Sequence, residues 1–197
     1  MRTFDNDYIF YNKTDARTLL SNVGNDLLKN DTESFNCGSF ALGIFSRWYC
    51  PYDRYSDNYD CVIELREAYD DGEIGYDECC DEMANLYINH MCETLVTVRE
   101  ITRELELDDD EYLVAFKASP YDFHYARRMD NGDWFHKMGS SEIEKISKYD
   151  VYNDNWWAEL YCEYSGALRL LAVKKPNFKQ MRLENKLFKS LANSKRR

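Results

Sequence analysis

The sequence predicts an α+β domain in which N-terminal helices pack on an antiparallel sheet. Three observations carry this expectation. Apolar residues at helical spacing are confined to the first half of the chain, β-type runs to the second, and an Asn131-Gly132 pair joins two of those runs. The domain is expected over 1–173, with 174–197 as a basic C-terminal tail.

Taken in order, Asp15 to Leu28 carries Leu19, Leu20, Val23, Leu27 and Leu28 near helical spacing and predicts a short helix. From Gly38 to about Trp48, the residues Phe40, Ala41, Ile44, Phe45 and Trp48 form one broad apolar stripe, and Pro51 follows the expected end. Asp60 is placed to cap a helix running to about Tyr69, closed by Asp70-Asp71-Gly72. A longer helix is expected from Asp77 to about Glu93, with Met83, Leu86, Tyr87, His90 and Met91 along it. Leu95 to Val98 reads as a strand, and Asp108 to Glu111 as a solvated acidic connector without the ligand spacing of a calcium loop. Tyr112 to Lys117, Phe123 to Met129, Trp134 to Met138 and Leu168 to Val173 read as strands.

The chain of 197 residues is 44% hydrophobic and 15% aromatic, enough for one core of ordinary size. No apolar run approaches the roughly 18 residues of a membrane helix, and Met1 to Asp7 shows no signal-peptide core, so a cytoplasmic protein without membrane contacts is expected. Seven cysteines, an odd number, suit reduced thiols, most of them small core residues. No Cys-x-x-Cys occurs, and neither metal nor organic cofactor is expected. The segment 174–197 carries nine basic residues against Glu184, net +8, which leaves −19 on 1–173 out of a total of −11. Such a body repels nucleic acid, so contact with phosphates is expected only through the tail, and a basic protein is the better-matched macromolecular partner.

The chemistry centres on Cys37, at the start of the helix that follows Asn36. A cysteine is a nucleophile only as its thiolate, and both a helix N-terminus and a neighbouring imidazole favour that form. Unpaired N–H groups of the first turn can also serve a developing oxyanion. His124 lies 87 residues later in a strand pattern, and His136 follows 12 residues after it, beyond the Asn131-Gly132 turn. Hairpin register decides whether the two histidines meet. A two-residue turn pairs Arg127 with His136 and puts the rings on opposite faces; one more loop residue pairs Ala126 with His136 and puts them on one face. Asp150 and Asn153 are the other candidates to orient His124. His90, in mid-helix among apolar residues, reads as a packed core histidine. No phosphate loop, Gly-x-Ser-x-Gly elbow or His-Glu-x-x-His helix occurs.

At Asn36-Cys37…Ala41-Leu42 and Asp122-x-His124-x-x-Arg127…Asn131-Gly132-x-Trp134-x-His136-Lys137-x-Gly139 the sequence resembles papain-like cysteine hydrolases. The likeness is to NlpC-type and CHAP-type amidases and peptidases and to uncharacterised papain-like proteins of bacteria and their phages. It implies a papain-like fold, Cys37 as nucleophile, His124 as general base, His136 as the orienting residue, and a peptide, isopeptide or wall-crosslink substrate. The chain departs from papain-like proteases at Asp31, where their glutamine stands six residues before the cysteine. A second expectation, of another class, comes from the charge: an acidic phage-type inhibitor that blocks a host defence or nucleic-acid-binding protein, keeping the same fold as a scaffold.

Overall fold

The computed structural model describes residues 36–43, 50–51, 58–93, 97–129, 131–141, 143–154, 157 and 166–174. The expected helix over 15–28 and the basic tail beyond Lys174 lie outside them. The described elements are α1 (Cys37–Leu42), α2 (Tyr59–Asp70), α3 (Tyr76–Glu93), β1 (Val98–Ile101), a 3-10 turn (Glu104–Glu106), β2 (Glu111–Ala118), β3 (Phe123–Arg128), β4 (Trp134–Lys137), β5 (Ile143–Ile146), α4 (Lys148–Val151) and β6 (Arg169–Lys174).

The strands make one antiparallel sheet in the order β1-β6-β2-β3-β4-β5. With α1 to α3 ahead of it in sequence, the architecture is α+β, as the patterning predicts. β6 enters between β1 and β2, pairing Val173 with both Val98 and Tyr112. Both faces of the sheet are covered, which is why β2 is buried without interruption from Tyr112 to Ala118. On one face Cys37, Ala41, Met83, Tyr87 and Met91 from the helices pack on Val114, Phe116, Phe123, Tyr125 and Leu171. Phe116 and Tyr125 stack at 4.6 Å there. On the other, Leu113, Ala115, Ala126, Trp134 and Ala172 pack on Val151 and Trp157. Each fully buried apolar side chain contributes about 1.5–3 kcal/mol, so both layers matter to stability.

Several boundaries differ from expectation. The helix carrying Cys37 ends at Leu42, because Gly43 takes the left-handed conformation (φ 73°) and its N–H returns to the Phe40 carbonyl. The expected continuation to Trp48 falls on residues 44–49, outside those described. α2 starts after Asn58, whose side chain donates to the Leu86 carbonyl at 3.0 Å and so ties α2 to α3; Asp60 stands in the first turn instead of capping it. The first strand begins at Val98 and runs to Ile101, later than the Leu95–Val98 expectation. Glu111 is part of β2, held by Arg99 at 2.6 Å, so the acidic connector is shorter than its charge run. β5 and α4 have no counterpart in the sequence reading.

The hairpin between β3 and β4 decides the register. Gly132 N–H donates to the Met129 carbonyl and Met129 N–H to the Asp133 carbonyl, so the loop holds one residue more than the shortest turn. Gly132 supplies the left-handed residue that this loop requires (φ 88°). Ala126 therefore pairs with His136, and Arg128 with Trp134.

Candidate active site

Asn36 caps α1: its side-chain oxygen accepts from the Ser39 N–H at 3.1 Å and from the Ser39 hydroxyl at 3.0 Å. At the other end of the helix Arg127 of β3 donates to the Phe40 carbonyl at 3.3 Å, its guanidinium lying 3.8 Å over the Tyr112 ring. The cap and this buried cation fix α1 on β3, and Cys37 with it.

The thiol meets β3 at its backbone. It donates to the Phe123 carbonyl at 3.9 Å, and the amide N–H groups of Tyr125 and Gly38 point at the sulfur. Phe123 and Tyr125 flank His124, so Cys37 docks on the two peptide groups either side of the candidate base. β3 is paired with β4 only from Ala126 onward, and the thiol takes the backbone groups just before that pairing begins.

Alternation along β3 sends Phe123 and Tyr125 into the helix-side core, while the His124 ring goes to the other face, 5.8 Å from Trp157. There its Nε2 lies 3.1 Å from Nδ1 of His136, both side chains being buried. The structure thus brings His124 and His136 together on one face, the arrangement given by the longer turn. Cys37 meets the same point of β3 from the helix-side core, and its hydrogen bonds among the described residues run to backbone, not to an imidazole. Of the other two candidates to orient His124, Asp150 is engaged in a capping box with Ser147 at the start of α4. The Asn153 N–H donates to the Asp150 carbonyl.

Burial governs the electrostatics. It pushes the Cys37 thiol up to about 12, helped by the nearby Asp122 carboxylate; the Gly38 and Tyr125 amides and the Lys137 cation act against it without prevailing. Burial, and then the His136 charge, push His124 down to about 3. Burial also lowers His136, opposed by Glu144. In the resting site both thiol and imidazole are neutral, against the expectation that helix terminus and imidazole would leave a thiolate.

Three residues near the site carry no role in the sequence reading. Lys137 is wholly buried on the face of Cys37, its ammonium donating to the Gly139 carbonyl at 2.5 Å; burial lowers it to about 8 and the Cys37 charge acts against that. Lys117 pairs with His124 across β2 and β3 and holds Asp154 at 2.5 Å. Glu144 pairs with His136 across β4 and β5. Strand alternation around His136 is the signal that could have found Lys137, once the register was known. His90 lies in α3, away from the histidine pair in sequence and on another element.

No protein-family model, curated protein or solved structure matches this chain. No helix among the described residues is long and apolar enough to cross a membrane.

Proposed function

We propose that this chain is a papain-like thiol hydrolase that cleaves an amide bond through a Cys37 acyl-enzyme. The observation that carries the reading is the docking of Cys37 on the peptide groups flanking His124, while the His124 Nε2 is held by His136 at 3.1 Å. In this reading Nδ1 is the ring nitrogen that exchanges a proton with the thiol. Catalytic hydrogen bonds are often loose in the empty enzyme and tighten when substrate arrives.

In the proposed reaction the Cys37 sulfur attacks the amide carbon as its proton passes to His124 Nδ1. His124 then gives that proton to the departing amine nitrogen, and the C–N bond breaks to leave a thioester. A water, losing a proton to His124, attacks the thioester carbon; the C–S bond breaks, His124 returns that proton to the leaving thiolate, and the carboxylic acid product departs and ionises in solvent. Neither metal nor organic cofactor enters these steps.

The test is alkylation by iodoacetamide across pH 6–10, followed peptide by peptide by mass spectrometry in the wild type, Cys37→Ala and His124→Ala. Cys61, exposed on α2, is the internal reference. The expected result is labelling at Cys37 that falls roughly 100-fold in His124→Ala, the size of a general-base contribution, with Cys61 unchanged. Equal Cys37 rates in wild type and His124→Ala would overturn the hydrolase reading.

A second reading, an acidic inhibitor on the same scaffold, draws on the buried neutral thiol and on the −19 carried by 1–173. It requires that Cys37→Ala leave affinity for a basic protein unchanged and that this affinity fall steeply with salt.

A further inference from the structure

On the face of the sheet opposite α1, four ionisable side chains stand in a row across four strands: Lys117 on β2, His124 on β3, His136 on β4 and Glu144 on β5. Register links them. Lys117 pairs with His124, Ala126 with His136, and His136 with Glu144. The Glu144 carboxylate lies 3.7 Å from His136 Nε2, and His136 Nδ1 lies 3.1 Å from His124 Nε2. Lys117, at the far end, is turned to Asp154. Among the described residues, the carboxylate that faces this pair of rings is that of Glu144.

We propose that Glu144 is a positioning residue that sets the tautomers of both histidines, so that His124 presents an unprotonated Nδ1. The inference rests on the hydrolase reading for its consequence, though not for its geometry. Two neutral imidazoles joined by one nitrogen–nitrogen hydrogen bond share a single proton across that contact, and it can belong to either ring. A carboxylate facing His136 Nε2 favours the proton on that nitrogen, even at a distance too long for a full hydrogen bond. His136 Nδ1 is then a lone pair and must accept. His124 Nε2–H must donate, which leaves His124 Nδ1 as the basic nitrogen. With the opposite arrangement His136 Nδ1–H would donate, His124 would carry its proton on Nδ1, and it could not take one from a thiol. The carboxylate thus acts through two rings on an atom of a third strand, as outer carboxylates fix histidine tautomers elsewhere.

The test is histidine side-chain nitrogen NMR on the full chain, uniformly labelled with nitrogen-15, near pH 7.5. The sequence has only three histidines, and single substitutions assign them. Expected in the wild type are Nε2–H forms for both His124 and His136. Glu144→Gln, whose side-chain oxygen can still accept, should keep them; Glu144→Leu should move a substantial fraction of His124 to the Nδ1–H form. Glu144 has a side chain 65% exposed, so both variants should fold. A wild-type His124 protonated on Nδ1, or tautomers unmoved by Glu144→Leu, would overturn the proposal. Cys37 alkylation in the same variants separates the two readings. A drop of about 10- to 100-fold in Glu144→Leu alone supports both. Tautomers that shift while alkylation stays constant uphold the role of Glu144 and count against the hydrolase.

Discussion

Lys137 shows how little a residue's type says about its surroundings. It follows His136 in sequence, yet alternation turns it to the opposite face, where it is fully buried near Cys37. Its cation is one of the few influences that lower the thiol. Lys137→Met should therefore slow Cys37 alkylation several-fold at pH 7, below the value of about 8 at which Lys137 gives up its proton, whereas Lys137→Arg should retain most of the rate. Stability should move the other way or not at all, because replacing a buried charge with an apolar side chain of similar volume is often neutral or stabilising. Alkylation and urea midpoints measured together check this: loss of both would mean that Lys137 is structural. Cys37, His124 and His136 were legible from residue type and spacing. The roles of Lys137, Lys117 and Glu144 were not, because they depend on which strands are neighbours and in what register.

At the scale of elements, long periodic stretches are legible in the sequence and short elements are not. The long helix α3 and strands β2, β3 and β6 lie within a residue or two of their expected bounds. β5 was invisible because Ile143-Glu144-Lys145-Ile146 is a short edge strand without apolar alternation. α4 did have a signal, the Ser147-x-x-Asp150 capping pattern, which precedes too short an apolar stretch to stand out. Asn131-Gly132 announced a hairpin but not its register, which packing decides: Trp134 belongs to the second core, and only the longer loop sends it there. Gly166 is a point where two elements close on each other. A methyl at this position would sit 2.4 Å from the Ala118 carbonyl oxygen on β2 and 2.9 Å from the Cys80 Cβ on α3. Gly166→Ala should cost about 1–3 kcal/mol, the usual penalty of overpacking, since a backbone oxygen cannot swing aside. Equilibrium urea unfolding measures it, and an unchanged midpoint would show that the segment before β6 can shift freely.

Across the whole molecule, burying the histidine pair couples the site to stability. The folded-state His124 is depressed to about 3 from an ordinary 6.5, and His136 is depressed as well. Above pH 6.5 these rings are neutral in both folded and unfolded chains, so they add no pH dependence. Below it the unfolded chain binds protons that the folded chain refuses, and stability falls as pH drops toward 3. The carboxylates that acid would also disturb, Glu104, Glu106 and Glu111, start from 4.5 and are lowered further by their partners. The interval between pH 6.5 and 4.5 therefore belongs mainly to the histidines. Across it His124 alone should remove on the order of 2–3 kcal/mol, at 1.36 kcal/mol per pH unit. The acidic body loses some self-repulsion over the same interval, an effect that added salt screens. Guanidinium unfolding, which brings its own salt, should show a midpoint falling steadily from pH 6.5 to 4.5 in the wild type and a nearly level one in a His124→Leu, His136→Leu double variant. A wild-type midpoint that stays flat to pH 4.5 would mean that the rings take up protons in place, and that the neutral pair on which the proposed chemistry depends does not exist.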